Sequence, residues 1–571
     1  MNEINHFNEE TNFDEIEEII DSKIEEKIDL SEKLLKFFNL FSISNIAMSY
    51  LLNILKEEGI DVPQTLYLLK KKNKEQSAVT KLQSGDVGES YIFMTLRENL
   101  AFLINNERLF PTEKNNNFEL SLNLDGLPLF KSSRVNVWPI LARLRNNSCK
   151  SIISLGCFVG VGKPVFSKLL TNLLQELIEF KENFVKITDN FFVKINRVVF
   201  VCDAPARAFI QNVLAHNSYH GCAYCRIIGT YESKIIFPYQ INLIPREDEL
   251  YKTGCESNQH SISPFIEVAS MCHDVPPEYL HLVCLGVFKR LLLTISTNKF
   301  SLANRKLSNQ QILNMFNEFT TKLPSEFQRS LRPLNVIHYF KAPEFRTWLL
   351  YAGPVFLKKN VSIELYEHFL LLHFSIYVFC SPSHVALYDC AQSCIEKFCS
   401  QLSDNYGRSS LTYNSHCLLH LFKFVKDLGC LDNFSSFPFE SFLFKLKKRM
   451  KSRSNIATQI CNNLIIIRDN EIKSDGNVKV ACSFPDNIVI VKNNIESFPI
   501  LVSNVTNNIV CGKKFRKKTP LYTYSSFALD IGIYELTEIY VSNARFVNKC
   551  VYFLQNDKYF IFPYANYDSQ Y

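Results

Sequence analysis

The sequence predicts a mixed α/β fold with a long helical insertion and a small β-rich domain near its C-terminal end. Three observations lead to this class. Short apolar runs typical of strands surround one amphipathic helix between residues 118 and 204. Long apolar segments with helical spacing fill residues 275–425. Short alternating strands return after residue 476. A chain of 571 residues is long enough for several such domains.

The first segment is strongly acidic. Residues 1–30 hold eleven Asp and Glu against two Lys, a balance of −9. The net charge of the whole chain is +6, so the remainder carries +15. A basic body with an acidic tail fits a nucleic-acid partner, and a solvated tail on a mildly basic globule fits equally well. The next segment, to residue 115, is predicted to be helical, since "SISNIAMSYLLNILKEEG" has a serine cap and a closing glycine.

The following segment has the order strand, strand, strand, helix, strand. The strands are "FELSLNLDG", "VWPILARLR", "KSIISLGCFVG" and "NRVVFVCDAP", and the helix is "SKLLTNLLQELIEF". Asp125 lies at the end of the first strand and Asp203 at the end of the fourth. This is the element order of the ribonuclease-H-like fold, which places metal-binding carboxylates at these two points. We therefore expect both aspartates to lie on neighbouring strands of one mixed sheet.

Neither the first residues nor the apolar runs predict secretion or membrane insertion. The first residues lack the basic segment and apolar run of a signal peptide. The longest apolar stretches, such as "FLLLHFSIYVFC", are too short to cross a bilayer and contain His373. We expect a soluble intracellular protein in which most of the 18 cysteines are buried free thiols.

"YHGCAYC" is the exception among the cysteine contexts. Cys222 and Cys225 form a Cys-x-x-Cys pair, which in a reducing compartment holds a metal or does redox work. The best partners are His416 and His420 in "HCLLH", which share one face if that segment is helical. The four residues make a Cys2His2 set suited to structural zinc, which would join distant parts of the chain. If each motif is considered alone, the alternative to a zinc site is a pair of core histidines and a pair of buried thiols.

A third carboxylate follows the histidines. Asp203 lies 19 residues before Cys222, and Glu440 lies 20 residues after His420. A zinc ion holding the two ends of the insertion together would bring Asp203 and Glu440 to one place. Together with Asp125 they would form the carboxylate trio of a two-metal site for phosphoryl transfer, with Mg²⁺ or Mn²⁺ as the ions.

Several motifs in order resemble one protein family. "NLDGLPLFKSS…WPIL", "VFVCDAPARAF…HGCAYC", "PPEYLHLVCLGVFKRLL", "KAPEFRTWLLYAGPVFL", "YNSHCLLHL" and "FSSFPFESFLFKLKK" are similar to the CACTA (EnSpm-type) DDE transposases and their transposase-derived animal relatives. The recombinase that initiates V(D)J recombination is more distantly similar. The resemblance implies a ribonuclease-H-like core with a helical insertion. It places the family's catalytic triad on Asp125, Asp203 and Glu440, and its zinc ligands on Cys222, Cys225, His416 and His420.

Three other polar residues are candidates for a role. Asp274 is predicted to cap or turn into a helix beginning near Pro277, rather than to act in catalysis. His281 is predicted to be a satisfied core histidine. For Arg207, a phosphate contact and a position on a helix surface remain equally open.

Two basic runs are candidates for DNA contact. The first follows Glu440 on one predicted helix and is favoured as a phosphate-binding surface; it comprises Lys445, Lys447, Lys448, Arg449, Lys451 and Arg453. The second, "GKKFRKK", is expected to interrupt the C-terminal β-rich domain, as a nuclear localisation signal, a DNA-contact loop or a basic turn. It comprises Lys513, Lys514, Arg516, Lys517 and Lys518.

The sequence thus predicts a nuclear DDE-type transposase that cuts and joins double-stranded DNA with Mg²⁺ or Mn²⁺, contains structural Zn²⁺, acts as a homo-oligomer on DNA and does not bind membranes. A catalytically silent descendant that binds DNA or chromatin is the alternative. No separate zinc-finger or helix-turn-helix signature precedes residue 116 to recognise transposon ends. The expected domains are an acidic tail (1–30), a helical region (31–115), the first part of the core (116–215), the insertion (216–424), the second part of the core (425–470) and a β-rich domain (471–571).

Overall fold

The computed structural model describes most of the chain in two compact units. The described residues are 30–40, 43–72, 81–84, 89–110, 113–130, 135–145, 147–162, 164, 166–297, 323–327, 329–469, 479–492, 496–506, 509–522, 531–555 and 558–565. One unit spans residues 1–80 and 459–472, and the other spans 81–458 and 473–571. The predicted acidic tail lies, except for Leu30, outside the described residues.

The first unit contains a small helical core. Its helices include Leu30–Leu40, Asn45–Glu57 and Leu66–Lys72. Ser44 caps the second of these, because its side chain accepts a hydrogen bond from the backbone N–H of Ala47 at 3.1 Å. Apolar residues at helical spacing are buried between the three helices: Leu34, Phe38, Met48, Leu52, Leu66 and Leu69. The helical prediction is therefore confirmed for this part of the chain.

The second unit is built on a mixed eight-stranded sheet. Its strands are β1 (Lys81–Ser84), β2 (Ser90–Phe93), β3 (Asn115–Leu124), β4 (Leu127–Pro128), β5 (Val135–Leu144), β6 (Ile153–Val161), β7 (Val185–Thr188) and β8 (Phe191–Phe200). Seven of them lie in the order β1-β2-β6-β5-β3-β8-β7, and β4 pairs with β5. β3 pairs antiparallel with β5 and parallel with β8. The predicted strands and the helix between them (Phe166–Glu182) are present, all four strands in one sheet.

Two parts of this sheet were not predicted. β1 and β2 lie in a segment that we expected to be helical. β2 pairs with β6 along its whole length, from Ser90 opposite Val159 to Phe93 opposite Gly156. The open edge of β6 thus supplies backbone partners that override the local helical preference. β7 is a four-residue strand that forms a hairpin with β8, and β8 begins five residues earlier than the predicted run.

The described residues between 204 and 469 are mainly helical, as was expected for the insertion (216–424). Besides the hairpin β9 (Thr230–Glu232) and β10 (Lys234–Ile236), the helices are Ala204–Gln211, Asp248–Thr253, Pro264–Glu267, Leu280–Phe288, Lys289–Thr297, Leu334–Tyr339, Ala342–Thr347, Trp348–Ala352, Gly353–Leu357, Ile363–Cys380, Pro382–Leu387, Tyr388–Ser400, Leu402–Tyr406, Arg408–Ser410, Tyr413–Cys417, Leu418–His420, Leu421–Leu428, Leu431–Phe434, Phe437–Lys448 and Ile456–Asp469.

One of these helices, Ile363–Cys380, is long and apolar enough to cross a membrane. Its surroundings are protein, because 83% of that stretch is buried inside the fold. Its His373 lies within hydrogen-bonding distance of the Leu350 carbonyl, at 3.1 Å, and of the Tyr522 hydroxyl, at 2.5 Å. This is the environment of a core helix.

The C-terminal residues form a second, antiparallel sheet. Its strands are β11 (Ile488–Lys492), β12 (Ser497–Thr506), β13 (Ile509–Pro520), β14 (Gly532–Gln555) and β15 (Lys558–Pro563), paired in that order. The basic run 512–518 was expected to interrupt this domain as a loop or turn. It instead lies inside β13, where Phe515 is buried and Lys513 and Arg516 are exposed. The register of β13 shifts between Lys513 and Phe515, and this irregularity turns these two side chains to different sides of the sheet. Lys514 pairs there with Glu496.

Candidate metal centres

Asp125 immediately follows β3 at the edge of the sheet where β8 also ends. Two contacts fix these strand ends together. The side chain of Asn123 donates to the Val201 carbonyl at 2.8 Å, and the backbone N–H of Leu124 donates to the Cys202 sulfur at 3.3 Å. The next residue, Gly126, leaves room for an indole ring, since a Cβ there would lie 2.9 Å from Trp138. Asp125 and Gly126 connect β3 to β4, and both strands pair with β5, with Leu124 opposite Ile140 and Leu127 opposite Val137, so the backbone continues along β5 at this point.

Asp203 lies three residues beyond the end of β8. It is the N-cap of helix Ala204–Gln211, and its Oδ1 accepts a hydrogen bond from the backbone N–H of Ala206 at 2.8 Å. Pro205 at the helix start favours this geometry, because its fixed φ suits the first turn. Since β3 and β8 are parallel neighbours, the carboxylates of Asp125 and Asp203 emerge at the same sheet edge.

Glu440 reaches this edge from helix Phe437–Lys448. The start of that helix is held by a buried carboxylate, Glu278, whose Oε1 accepts a hydrogen bond from the backbone N–H of Ser436 at 2.6 Å. The same carboxylate accepts bonds from the backbone N–H groups of Leu280 at 2.6 Å and His281 at 2.8 Å. Glu278 thus joins the helix that carries Glu440 to the helix that begins at Leu280.

The negative charges of Asp203 and Glu440 act on Asp125, and that of Asp203 also acts on Glu440. Burial, followed by the charges of Asp203 and Glu440, raises the pKa of Asp125 to about 7. Burial also raises the pKa of Glu440, although the charge of His281 opposes it. For His281, burial lowers the pKa, but the hydrogen bond and charge of Glu278, with the charges of Glu440 and Asp203, outweigh it and raise the value to about 9. The cluster therefore concentrates negative charge that one imidazolium only partly offsets.

His281 is the residue whose place in this cluster the sequence did not predict. We expected a satisfied core histidine. Its Nδ1 indeed lies 2.8 Å from Glu278, but its Nε2 lies 3.8 Å from Oε1 of Glu440, and its side chain is 30% exposed. The sequence "PPEYLH" could have indicated this interaction. A glutamate three residues before a histidine at a helix start can both cap the helix and orient the imidazole ring.

The raised pKa of Asp125 predicts a pH-dependent stability. Because the folded protein binds this proton more tightly than an unfolded aspartate with its pKa of 3.8, the contribution of Asp125 to stability falls as pH rises from about 4 to about 7. Without added Mg²⁺ or Mn²⁺, Asp125→Asn should therefore unfold at a higher temperature than the wild type at about pH 8, and by a clearly smaller margin near pH 5. Thermal unfolding at the two pH values measures this, and equal midpoints at pH 8 would contradict it.

A separate Cys/His cluster consists of Cys222, Cys225, His416 and His420, whose ligand atoms all lie within 4.8 Å of one another. The two sulfurs are 3.6 Å apart and the two Nε2 atoms 3.2 Å apart. The sulfur–nitrogen distances are 3.5 Å from Cys222 to His420 and 3.3 Å from Cys225 to His416. A tetrahedral zinc ion with thiolate and imidazole ligands separates them by about 3.8, 3.5 and 3.3 Å for S–S, S–N and N–N pairs. The cluster therefore fits a structural metal such as zinc.

The surroundings of the Cys/His cluster fix its ligands. The ring of His416 stacks on Phe237 at 5.6 Å between centroids, and the ring of His420 lies 5.2 Å from Tyr224. The carbonyl of Cys222 accepts a hydrogen bond at 2.8 Å from the guanidinium of Arg246. Such contacts orient ligands before a metal binds. The helix expected to carry both histidines is tightened into a 3₁₀ turn over Leu418–His420, and the imidazoles still converge.

Without a metal, the two thiol ligands share one proton, because the hydrogen bond to Cys222 and burial raise the pKa of Cys225. Burial would raise the pKa of Cys222, but hydrogen bonds from Cys225 and Cys417 and the charges of His416 and His420 lower it well below the usual thiol value. Burial lowers the pKa of His420, which favours the neutral imidazole. A thiolate and a neutral imidazole are the forms that bind zinc. Cys417 is thus a neighbour of the ligand set that sequence spacing did not reveal.

Arg207 and Asp274 have roles other than those expected from the sequence. Arg207 is buried, with its guanidinium 2.9 Å from the Tyr413 hydroxyl and 5.6 Å from the Tyr224 ring. It is therefore neither on a helix surface nor placed for phosphate, and it packs beside the Cys/His cluster. Asp274 accepts a hydrogen bond from Arg197 at 2.6 Å, whereas Glu278 caps the following helix. The expectation that Asp274 caps this helix is wrong, because its carboxylate is bound by Arg197 and by the backbone N–H of Ser270, the latter at 2.8 Å.

The basic residues after Glu440 lie beside the segment that follows Asp125. Lys447 donates to the Pro128 carbonyl at 2.6 Å, and the guanidinium of Arg453 lies 5.5 Å from the Phe130 ring. Arg449 is half-buried, and burial lowers its pKa. The other members, Lys445, Lys448 and Lys451, are exposed. The surface of this helix end, which we call the basic stripe, thus adjoins the carboxylate cluster.

A scan against models of known protein families finds none that matches this chain, and a search of curated proteins finds none with significant similarity. The similarity to CACTA transposases consequently rests on the order of the short motifs quoted above.

Proposed function

We propose that the protein is a DDE-type transposase, or derives from one, and that it cleaves and joins DNA strands in a metal-dependent phosphoryl transfer. The observation that carries the proposal is that β3 and β8 are parallel neighbours followed by Asp125 and Asp203, and that the charges of Asp203 and Glu440 both raise the pKa of Asp125. Asp203 follows Asp125 by 78 residues, and Glu440 follows Asp203 by 237. Neighbouring carboxylates repel one another, and proteins bring them together mainly where a cation or a proton is bound.

The donor set suits two Mg²⁺ or Mn²⁺ ions, since both prefer carboxylate oxygens. When bound, such ions supply an activated water and stabilise the leaving oxygen of a phosphodiester. The chain contributes the placement of the ligands. Asp203 is fixed by its bond to the Ala206 N–H, Glu440 by the anchored start of its helix, and Asp125 by its position between β3 and β4, which both pair with β5. Asp125 has to release its proton for a cation to bind, which it does near neutral pH.

The fold supports the same proposal. The chain order β3, β5, β6, helix, β8, with β3 between an antiparallel and a parallel neighbour, is the arrangement expected of a ribonuclease-H-like core. The Cys/His cluster lies between the second and third carboxylates in sequence and joins segments 191 residues apart. Zinc bound there would hold the helical insertion so that Glu440 returns to the sheet edge. Double-stranded DNA in the nucleus, bound by a homo-oligomer, is the proposed setting.

A plasmid-nicking assay tests the proposal. We expect the purified protein to nick supercoiled DNA in the presence of Mg²⁺ or Mn²⁺ and to leave it intact without them. Ca²⁺ serves as a control, because it binds carboxylates but supports this chemistry poorly. Protein that binds duplex DNA and never nicks it with either ion would overturn the catalytic proposal in favour of a silent, DNA-binding descendant.

The basic stripe predicts how DNA is held. Reversing Lys445 and Lys448 to Glu should weaken binding to all duplex sequences alike. The logarithmic salt dependence of affinity should become shallower by roughly one unit for each phosphate that the variant no longer binds. Both residues are exposed, so thermal unfolding should not change. The matched control reverses two exposed lysines elsewhere, Lys359 and Lys397. Unchanged affinity and salt slope would show that the DNA path lies elsewhere, with strand β13 as the next candidate.

A further inference from the structure

One side chain on the Glu440 helix is exposed although its chemistry favours burial. Phe444 is 65% exposed. Its neighbours Phe442, Leu443 and Leu446 are buried and complete the face of the helix that packs on the core. Packing of this helix therefore does not account for a phenyl ring at position 444.

Phe444 lies on the same helix as Glu440, a member of the carboxylate cluster. It follows Glu440 by four residues, so both side chains lie on one face of the helix, about 6 Å apart along its axis. Glu440 itself is 40% exposed, so the two side chains share an open surface. Lys447 and Lys448 come next on that face, three and four residues further on. An exposed ring thus lies between a proposed metal ligand and the basic stripe.

We propose that Phe444 is a stacking site for an unpaired nucleobase next to the phosphate at the carboxylate cluster. The proposal rests on the proposed function, because it takes DNA as the substrate. Single-strand binders combine cations along the backbone with aromatic rings on which bases stack. A base inside a duplex is already stacked on its neighbours, so the ring can be used only by a base that is unpaired or turned out of the helix.

A protein partner fits this surface less well. The positions adjoining Phe444 on its face are Glu440, Ser441, Lys447 and Lys448, which are all polar and, except for the serine, charged. Protein interfaces are centred on larger apolar patches from which charged residues are depleted. A single ring among lysines is instead the composition of a nucleic-acid surface.

Binding of three oligonucleotides to wild type and variants, measured without a catalytic metal, tests the proposal. The oligonucleotides are a blunt duplex, the same duplex with a short unpaired 3′ extension, and a single strand. Phe444→Ala should lower affinity for the two with unpaired bases by about 5- to 100-fold, as expected for loss of one stacked base. Its affinity for the blunt duplex should change less than about twofold. Phe444→Trp should retain the preference, and Phe444→Leu should lose it, because leucine keeps an apolar side chain without an aromatic face.

Tyr339→Ala is the matched control, since Tyr339 is an exposed aromatic residue, at 73%, outside the Glu440 helix. An equal loss of affinity for all three oligonucleotides with Phe444→Ala, or no loss for any, would overturn the stacking site while leaving the proposed function intact. Wild-type protein that binds none of the three would overturn both. Wild-type protein that nicks plasmid DNA but shows no effect of Phe444→Ala or Phe444→Leu would remove this inference alone.

Discussion

Replacing His420 with Ala is expected to cause the largest loss of stability of any change considered. His420 Nε2 lies 3.5 Å from the Cys222 sulfur and 3.2 Å from His416 Nε2, so its removal opens the proposed zinc site. Structural zinc contributes on the order of 10 kcal/mol to the folding of small domains, and we expect at least about half of that to be lost here. The insertion should then unfold at a lower temperature and become sensitive to protease.

The control for this change is a histidine or cysteine outside the cluster. His338 and Cys255 are exposed, so His338→Ala and Cys255→Ser should leave both unfolding and metal content unchanged. The measurements are metal analysis of protein purified without chelator and thermal unfolding of each variant. About one equivalent of zinc is expected in the wild type and much less in His420→Ala. Folded wild-type protein that contains no zinc would contradict the assignment of this cluster.

Glu440→Gln should have the largest effect on chemistry. Glutamine has the size of glutamate, but it cannot ionise. The change therefore removes a negatively charged ligand and leaves the shape of the side chain the same. We expect metal-dependent nicking to fall on the order of a thousandfold or more, as for other residues that act as part of a catalytic unit. Duplex binding should persist, because the basic stripe is unchanged. Stability should hold or increase slightly, since the pKa of Glu440 is already raised by burial.

Glu249→Gln is the control for Glu440→Gln, because the side chain of Glu249 is 79% exposed on a short helix outside the cluster. Cleavage by the control should equal that of the wild type. If Glu440→Gln cleaved DNA at the wild-type rate, Glu440 would not belong to the site. If it lost DNA binding together with cleavage, its role would be structural.

Local patterns predicted the parts of this fold that are specified locally. The run that became β3 alternates apolar and polar residues, and the run that became β8 is apolar throughout, so both were visible without tertiary information. β1 and β2 were missed, because the strand conformation of Ser90–Phe93 depends on pairing with β6 rather than on its own four residues. The run 512–518 was misread for the opposite reason, since its charges resemble a loop while its backbone pairs in β13.

In the candidate sites, too, some side-chain interactions between residues distant in sequence could not be predicted. Spacing and residue type identified the Cys2His2 ligands, whose atoms the structure brings together. The place of His281 depends on Glu278, which anchors two helix starts at once, and nothing in a linear pattern relates Glu278 to Ser436. The position of Arg207 could not be predicted from the sequence, because its burial beside Tyr224 and Tyr413 depends on residues far along the chain.

The central claim is that Asp125, Asp203 and Glu440 together bind catalytic metal ions. Anomalous diffraction from crystals soaked in Mn²⁺ tests this most directly, because manganese can be located independently of zinc by the choice of wavelength. The account predicts manganese ligated by oxygens of these three side chains, at pH values above the pKa of about 7 of Asp125, and its loss in Asp203→Asn. Crystals with zinc at the Cys/His cluster and no manganese between the three carboxylates would contradict it.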